Sequence, residues 1–201
     1  SDNEARFSGS AIIGGNSILQ GSIKSSGSFK VEGKLEGGLN AKFSGSAKIG
    51  KETVVQGLLK SSGSFNAGDN VQAVQGLKTS GSARIDGNVL SQRSITIEGS
   101  SAIAGNVVAE DVNIGFSRWW KNLRIFSIRE RPYSVSGSIF AKNNVNIKRT
   151  FVKSDVKGLN VAIRKRSKVE GTVYYVDSIR ISRSAELANE PIRIKAEELS
   201  L

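Results

Sequence analysis

Apolar side chains recur along this chain in columns 18 residues apart, with polar positions between them. The glycines of a repeated Ser-Gly-Ser step mark the period: Gly9, Gly27, Gly45, Gly63 and Gly81, then Gly99 with Glu98 in place of the first Ser. Two residues after each glycine stands Ala11, Phe29, Ala47, Phe65, Ala83 or Ser101. Four residues after stands Ile13, Val31, Ile49, Ala67, Ile85 or Ile103, and eight after stands Ser17, Leu35, Thr53, Val71, Val89 or Val107. Between the first two columns lies a mostly polar one: Ile12, Lys30, Lys48, Asn66, Arg84 and Ala102.

Alternation with a period of two residues is that of a strand with one buried face. Gly, Ser and Asn are poor helix interiors, so a helical reading fails. A fixed period of this length predicts a solenoid. The fold class is therefore all-β, a parallel β-helix of about 18 residues per coil, with short strands joined at tight corners. The glycines are expected at the corners because Gly tolerates positive φ. Ala and Phe alternate two residues past the glycine, which reads as size compensation between neighbouring coils. A Gly/Ser-rich linker would not keep its apolar residues in register.

The regular coils run over residues 1–116, with Phe7, Ile12 and Ile13 at the exposed first edge. Residues 117–136 break the period and read as an aromatic and basic excursion ending near Pro132. Gly137 lies 38 residues after Gly99, not 36, so the register slips there. Coils are expected to resume over 137–194 in a shifted frame. The spacing stacks Val145 with Ile163 and Ile181, Phe151 with Val169 and Leu187, and Val161 with Ile179. Ile192 and Ile194 alternate in the last strand, and residues 195–201 form a tail too short for a real cap.

The net charge of +11 changes the picture because it is local. Residues 118–168 hold 14 basic side chains against Glu130 and Asp155, while the stretches on either side nearly balance. Inside the excursion, Arg118, Trp119, Trp120, Lys121, Arg124 and Phe126 interleave aromatic and cationic groups. That mixture suits a lid over the solenoid, a membrane interface or stacking on bases, with nucleic acid the least favoured partner. A second basic feature is a ladder, Lys24, Lys42, Lys60 and Lys78, which repeats with the coil period. It reads as a solvated face that blocks sideways sheet pairing, or as a contact for an anionic partner.

Much chemistry is disfavoured. With no Cys, no His and no Met, the chain has no thiol and no imidazole base. A coil of this length is also that of hexapeptide-repeat acyltransferases, which resemble one another in using a His base. The run Gly45-Ser46-Ala47-Lys48-Ile49-Gly50-Lys51 approaches a phosphate loop, but Glu52 stands where a Ser or Thr must hold magnesium. The acids show no catalytic or metal-binding spacing. The expectation is a protein with no catalytic residues, no metal and no cofactor. No apolar run is long enough to span a membrane, and the start at Ser1-Asp2-Asn3-Glu4 does not read as a signal peptide. A cytoplasmic location is expected, with an anionic membrane surface as the second candidate partner.

Segments such as Ser28-Phe29-Lys30-Val31-Glu32-Gly33 and Gly105-Asn106-Val107-Val108-Ala109-Glu110-Asp111-Val112 resemble the bactofilin, or polymer-forming cytoskeletal, family. Val169-Glu170-Gly171-Thr172-Val173-Tyr174-Tyr175-Val176-Asp177 is similar to the later coils of archaeal-type members. The resemblance covers nearly the whole chain and rests on repeat style. It implies a right-handed parallel β-helix that polymerises end to end without nucleotide. Uncapped terminal coils point the same way, because open strand edges over an apolar core invite stacking. The expected contacts are Phe7, Ile12 and Ile13 at one end and Ile192 and Ile194 at the other. The competing expectation is a scaffold that binds lipid, polysaccharide or nucleic acid through the basic 118–168 segment.

Overall fold

The computed structural model describes residues 4–116 and 133–199. Parallel strands stack as a β-solenoid of about ten turns, each set one coil above the last. In the early coils each turn supplies three strands, so the column has three faces. Face one begins with Glu4–Phe7, Ser22–Ser25 and Ala41–Phe43, and face two with Ala11–Ile13, Ser28–Val31 and Ser46–Ile49. Face three begins with Ser17–Leu19, Leu35–Gly37 and Thr53–Val55. Like positions lie over like, one full period on, as in Phe29 over Ala11 and Phe65 over Ala47.

Inward positions form the core. Phe29, Phe43 and Phe65 are the largest fully buried side chains, backed by Ile, Val and Leu columns that continue to Val173. Each buried Val, Leu or Ile contributes about 1.5–3 kcal/mol, and stacking is what allows the burial. Corners are closed by side-chain amides. The Oδ1 atoms of Asn16, Asn70, Asn88 and Asn106 each accept the backbone N–H of a residue one coil on, at 2.7–2.9 Å.

The Ser-Gly-Ser glycines occupy the corner between faces one and two, but not for the expected reason. Among the described residues, positive-φ glycines occur only at Gly76 and Gly115. What the corner requires is close approach. A Cβ on Gly27, Gly45, Gly63 or Gly81 would overlap the carbonyl oxygen of the glycine directly beneath.

The later coils depart from the predicted register. Gly137 stacks on Gly105, its N–H donating to the Gly105 carbonyl at 3.2 Å, so it belongs to the corner between faces two and three. Ala102 pairs with Ser134 across the excursion, and later coils then shorten. Ile139 pairs with Val156 and Val145 with Val161, both closer in sequence than the regular period allows. Hence Val161 and Ile179 lie over Val145, while Ile163 and Ile181 continue the Ile147 column. Phe151 faces outward beneath Lys168, and Val152 is the residue beneath Val169 and Leu187. The cause is a lost corner. Val107–Ile114, Ile139–Ile147, Val156–Ile163 and Val173–Ile181 each run from face three into face one as one strand, bent at a bulge.

Candidate assembly and binding surfaces

The two ends of the column are open strand edges. At the first end Phe7, Ala11, Ile13 and Leu19 pack against the core from below while staying half-exposed. At the other end Tyr175, Ile179, Ala185 and Leu187 do the same from above. Among the described residues nothing lies beyond the first rung, and only the two-residue strand Ile192–Arg193 lies beyond the last, over Tyr174 and Tyr175. The chain past Arg193 turns away from the end. Ile194 and the short 3-10 turn Ala196–Leu199 run back along face three, where Ile194 and Glu198 line a cleft with Phe140, Lys157 and Tyr174.

The sequence-predicted end contacts therefore divide. Phe7 and Ile13 are on the inner rim, and the Phe7 ring sits 5.0 Å from that of Phe29. Ile12 points outward in the column of Lys30 and is 69% exposed. Ile192 lies over Tyr174 and is exposed, Arg193 takes the rung over Tyr175, and Ile194 packs on the flank. Sequence reasoning missed Ala11 and Leu19 at one end and Tyr175, Ile179 and Leu187 at the other. The signal was present in the inner columns of Ala11 and Leu19 and in the predicted stacks of Ile179 on Val161 and Leu187 on Val169, which the structure contains; Tyr175 alone was hidden, because it follows Gly158 by 17 residues.

The lysine ladder is real and longer than predicted. Arg6, Lys24, Lys42, Lys60 and Lys78 occupy successive rungs on the outside of face one. Glu4 holds the first two, 2.6 Å from Arg6 and 3.2 Å from Lys24, and these cations keep its carboxyl below the usual range. Glu98 meets Lys78 at 3.1 Å. Lys42 and Lys60 have no acidic partner among the described residues.

A third feature has no counterpart in the sequence reading. The outer column of face three is largely apolar: Ile18, Val54, Leu90, Val108, Phe140, Tyr174 and Ile192 stand in one line, broken by Glu36, Gln72 and Lys157.

The aromatic and basic group Arg118, Trp119, Trp120, Lys121, Arg124 and Phe126 lies outside the described residues. Its place along the chain is clear. Face one ends at Ile114 and face two begins again at Tyr133, so the segment is inserted at the Ser-Gly-Ser corner. Later turns of that corner carry Lys148, Arg149, Arg164, Lys165 and Arg166. The near-miss phosphate loop is not a loop: Ser46–Ile49 is a strand, with Lys48 exposed on face two. Among the described residues no group of three or more acids is placed to hold a metal. No helix among them is long and apolar enough to cross a membrane. No family model, no curated protein and no solved structure matches the chain.

Proposed function

We propose that this protein is a structural element whose rods join end to end into filaments without a nucleotide, as in the bactofilin family that its repeats resemble. The observation that supports the reading is the pair of open ends. Each end presents unpaired strand edges around a half-exposed apolar patch, and stacking rod on rod extends the sheets and buries both patches. The turn of the tail onto the flank, rather than over the last coil, keeps the second end accessible. The experiment is negative-stain microscopy of the purified protein with and without nucleotide. Filaments of solenoid width in both conditions are the expected result; monodisperse single rods at high concentration would end the reading.

A second reading is supported by the basic corner. Lys148, Arg149, Arg164, Lys165 and Arg166 gather at the corner between faces one and two, and the chain between Phe116 and Tyr133 adds Trp119 and Trp120 in sequence, a composition that suits contact with an anionic membrane surface. Flotation with anionic liposomes tests it. Binding lost on replacing both Trp residues by Ala supports the contact, and unchanged flotation rejects it.

A further inference from the structure

We infer that the outer surface of face one is a docking strip for a linear acidic polysaccharide, a polyuronate, lying parallel to the rod axis. Each of the first five coils presents the same pair of groups there. Arg6 and Ser8, Lys24 and Ser26, Lys42 and Ser44, Lys60 and Ser62, and Lys78 and Ser80 stand on successive rungs, cation first and serine next but one. The cations form one column and the exposed hydroxyls a second column beside it. A shallow groove of about 260 Å³ follows them past Arg6, Ser8, Lys24, Ser26, Lys42 and Ser44.

Charge complementarity identifies the occupant. Several outward cations on the other faces are paired with an acid, Lys30 with Glu32, Lys34 with Glu36 and Glu52, and Arg84 with Asp86, whereas among the described residues Lys48, Lys51 and Arg93 stand singly and do not line up on adjacent rungs. On face one, acids close the strip only at its two extremities, Glu4 at the first coil and Glu98 beyond the fifth. Lys42 and Lys60 lie between them on adjacent rungs, with no acidic partner among the described residues.

Spacing then separates classes of polyanion. Coils in a parallel stack are about 4.8 Å apart, so the strip offers one cation and one hydroxyl per ~4.8 Å. A polyuronate offers one carboxylate and its ring hydroxyls per sugar, and a pyranose advances the chain by a similar length. Every coil can therefore meet one sugar in the same way, carboxylate on ammonium and hydroxyl on hydroxyl. A nucleic-acid duplex carries a phosphate every ~3.4 Å of each strand, on strands that wind away from a straight column, and matches it at isolated points only.

The test is co-sedimentation of the full chain with polygalacturonate across a salt series. The controls are neutral dextran, polyglutamate of equal charge, duplex DNA and anionic phosphatidylglycerol vesicles. The expected result is binding to polygalacturonate above all four. The solvent-exposed double change Lys42→Gln with Lys60→Gln is expected to weaken it about tenfold and to lower the salt slope by about 1.5. Circular dichroism of the variant checks that the solenoid is intact. Polygalacturonate binding that is absent, unchanged in the double variant, or matched by polyglutamate, DNA or vesicles would overturn the assignment. Filament formation is scored separately on the same samples, so a failure here leaves the end-to-end reading standing.

Discussion

The rings of Phe29 and Phe43 stack with centroids 5.5 Å apart and planes 27° from parallel, although they come from different faces and successive coils. Phe43 meets Phe65 in the same way at 6.0 Å, and Phe7 meets Phe29 at 5.0 Å. The four rings zigzag across one corner of the core. Each coil places its Phe on one wall and a small residue on the other: Phe7 with Ala11, Ser25 with Phe29, Phe43 with Ala47, Ser61 with Phe65. Size compensation thus operates within each coil as well as between coils. Phe43→Ser is expected to cost about 3–5 kcal/mol through the cavity it leaves. Adding Ala47→Phe moves the ring to the other wall and should recover part of that loss. Urea unfolding of the two single variants and the double measures the coupling; strictly additive changes would contradict it.

The small partners carry their own expectation. The hydroxyls of Ser25 and Ser61 are buried and have no hydrogen-bond partner. An unpaired buried hydroxyl costs about 1–3 kcal/mol, so Ser61→Ala should leave the fold intact and raise its stability by roughly 1 kcal/mol. A fall in the unfolding midpoint would show that Ser61 is satisfied in solution, for instance by a bound water.

Why the first coils are legible in sequence and the later ones are not follows from these same columns. Through Val107 the corner residues and the inner residues repeat at one common step, so Gly63, Phe65 and Ala67 each confirm the frame. After Asp111 the corner between faces three and one is gone, and its residues are absorbed into bent strands with bulges. Only the inner column survives there, and alternating Val and Ile fit several frames equally well. The regular period sets Val145 against Ile163, although Val161 is the residue that lies over it. The last strand over face three is ambiguous for a related reason. A period-two pattern in Pro191-Ile192-Arg193-Ile194 states that faces alternate, not which face is inner, and Arg193 over Tyr175 takes the rung expected for an isoleucine.

Tyr133 gives a pH expectation. Its Oη donates to the Glu98 carbonyl at 2.8 Å, and burial, with the Glu98 charge adding, pushes its pKa above 10.0. A folded-state pKa raised above the unfolded one means that the protonated phenol favours the fold. That contribution is complete below the unfolded value near 10 and is lost as pH rises through the higher folded value. Tyr133→Phe should cost about 1 kcal/mol at neutral pH by removing the hydrogen bond. The gap between variant and parent should narrow above pH ~10, where the phenol of the unfolded parent ionises while the buried one stays protonated, which favours unfolding of the parent alone. Parallel stability curves across that window would refute the assignment.

End contacts can be separated by charge insertion. Ile179 sits half-buried on the last inner rung, whereas Ile194 packs on the flank beside Tyr174. Ile179→Lys should raise the concentration needed for filaments at least about tenfold, since a charge there must be buried by the next rod. Ile194→Lys should leave assembly unchanged. Electron micrographs over a concentration series distinguish the two, and the reverse ranking would place the junction on the flank instead.

Gly9 offers the sharpest test of how rods meet. Gly27, Gly45, Gly63 and Gly81 each lie so close to the coil beneath that a Cβ would overlap a backbone carbonyl, while a Cβ on Gly9 meets nothing. Gly63→Ala should therefore destabilise the fold by about 2–3 kcal/mol, because rigid backbone and not a flexible side chain must shift. Gly9→Ala should leave the unfolding midpoint of the isolated rod where it was. If a neighbouring rod places its last coil under the first one at coil spacing, position 9 becomes equivalent to position 63, and the same added methyl blocks the junction. Unfolding at dilute concentration and pelleting at high concentration report the two effects separately. An alanine at position 9 that pellets as readily as the parent would mean that the first coil does not receive another coil in register.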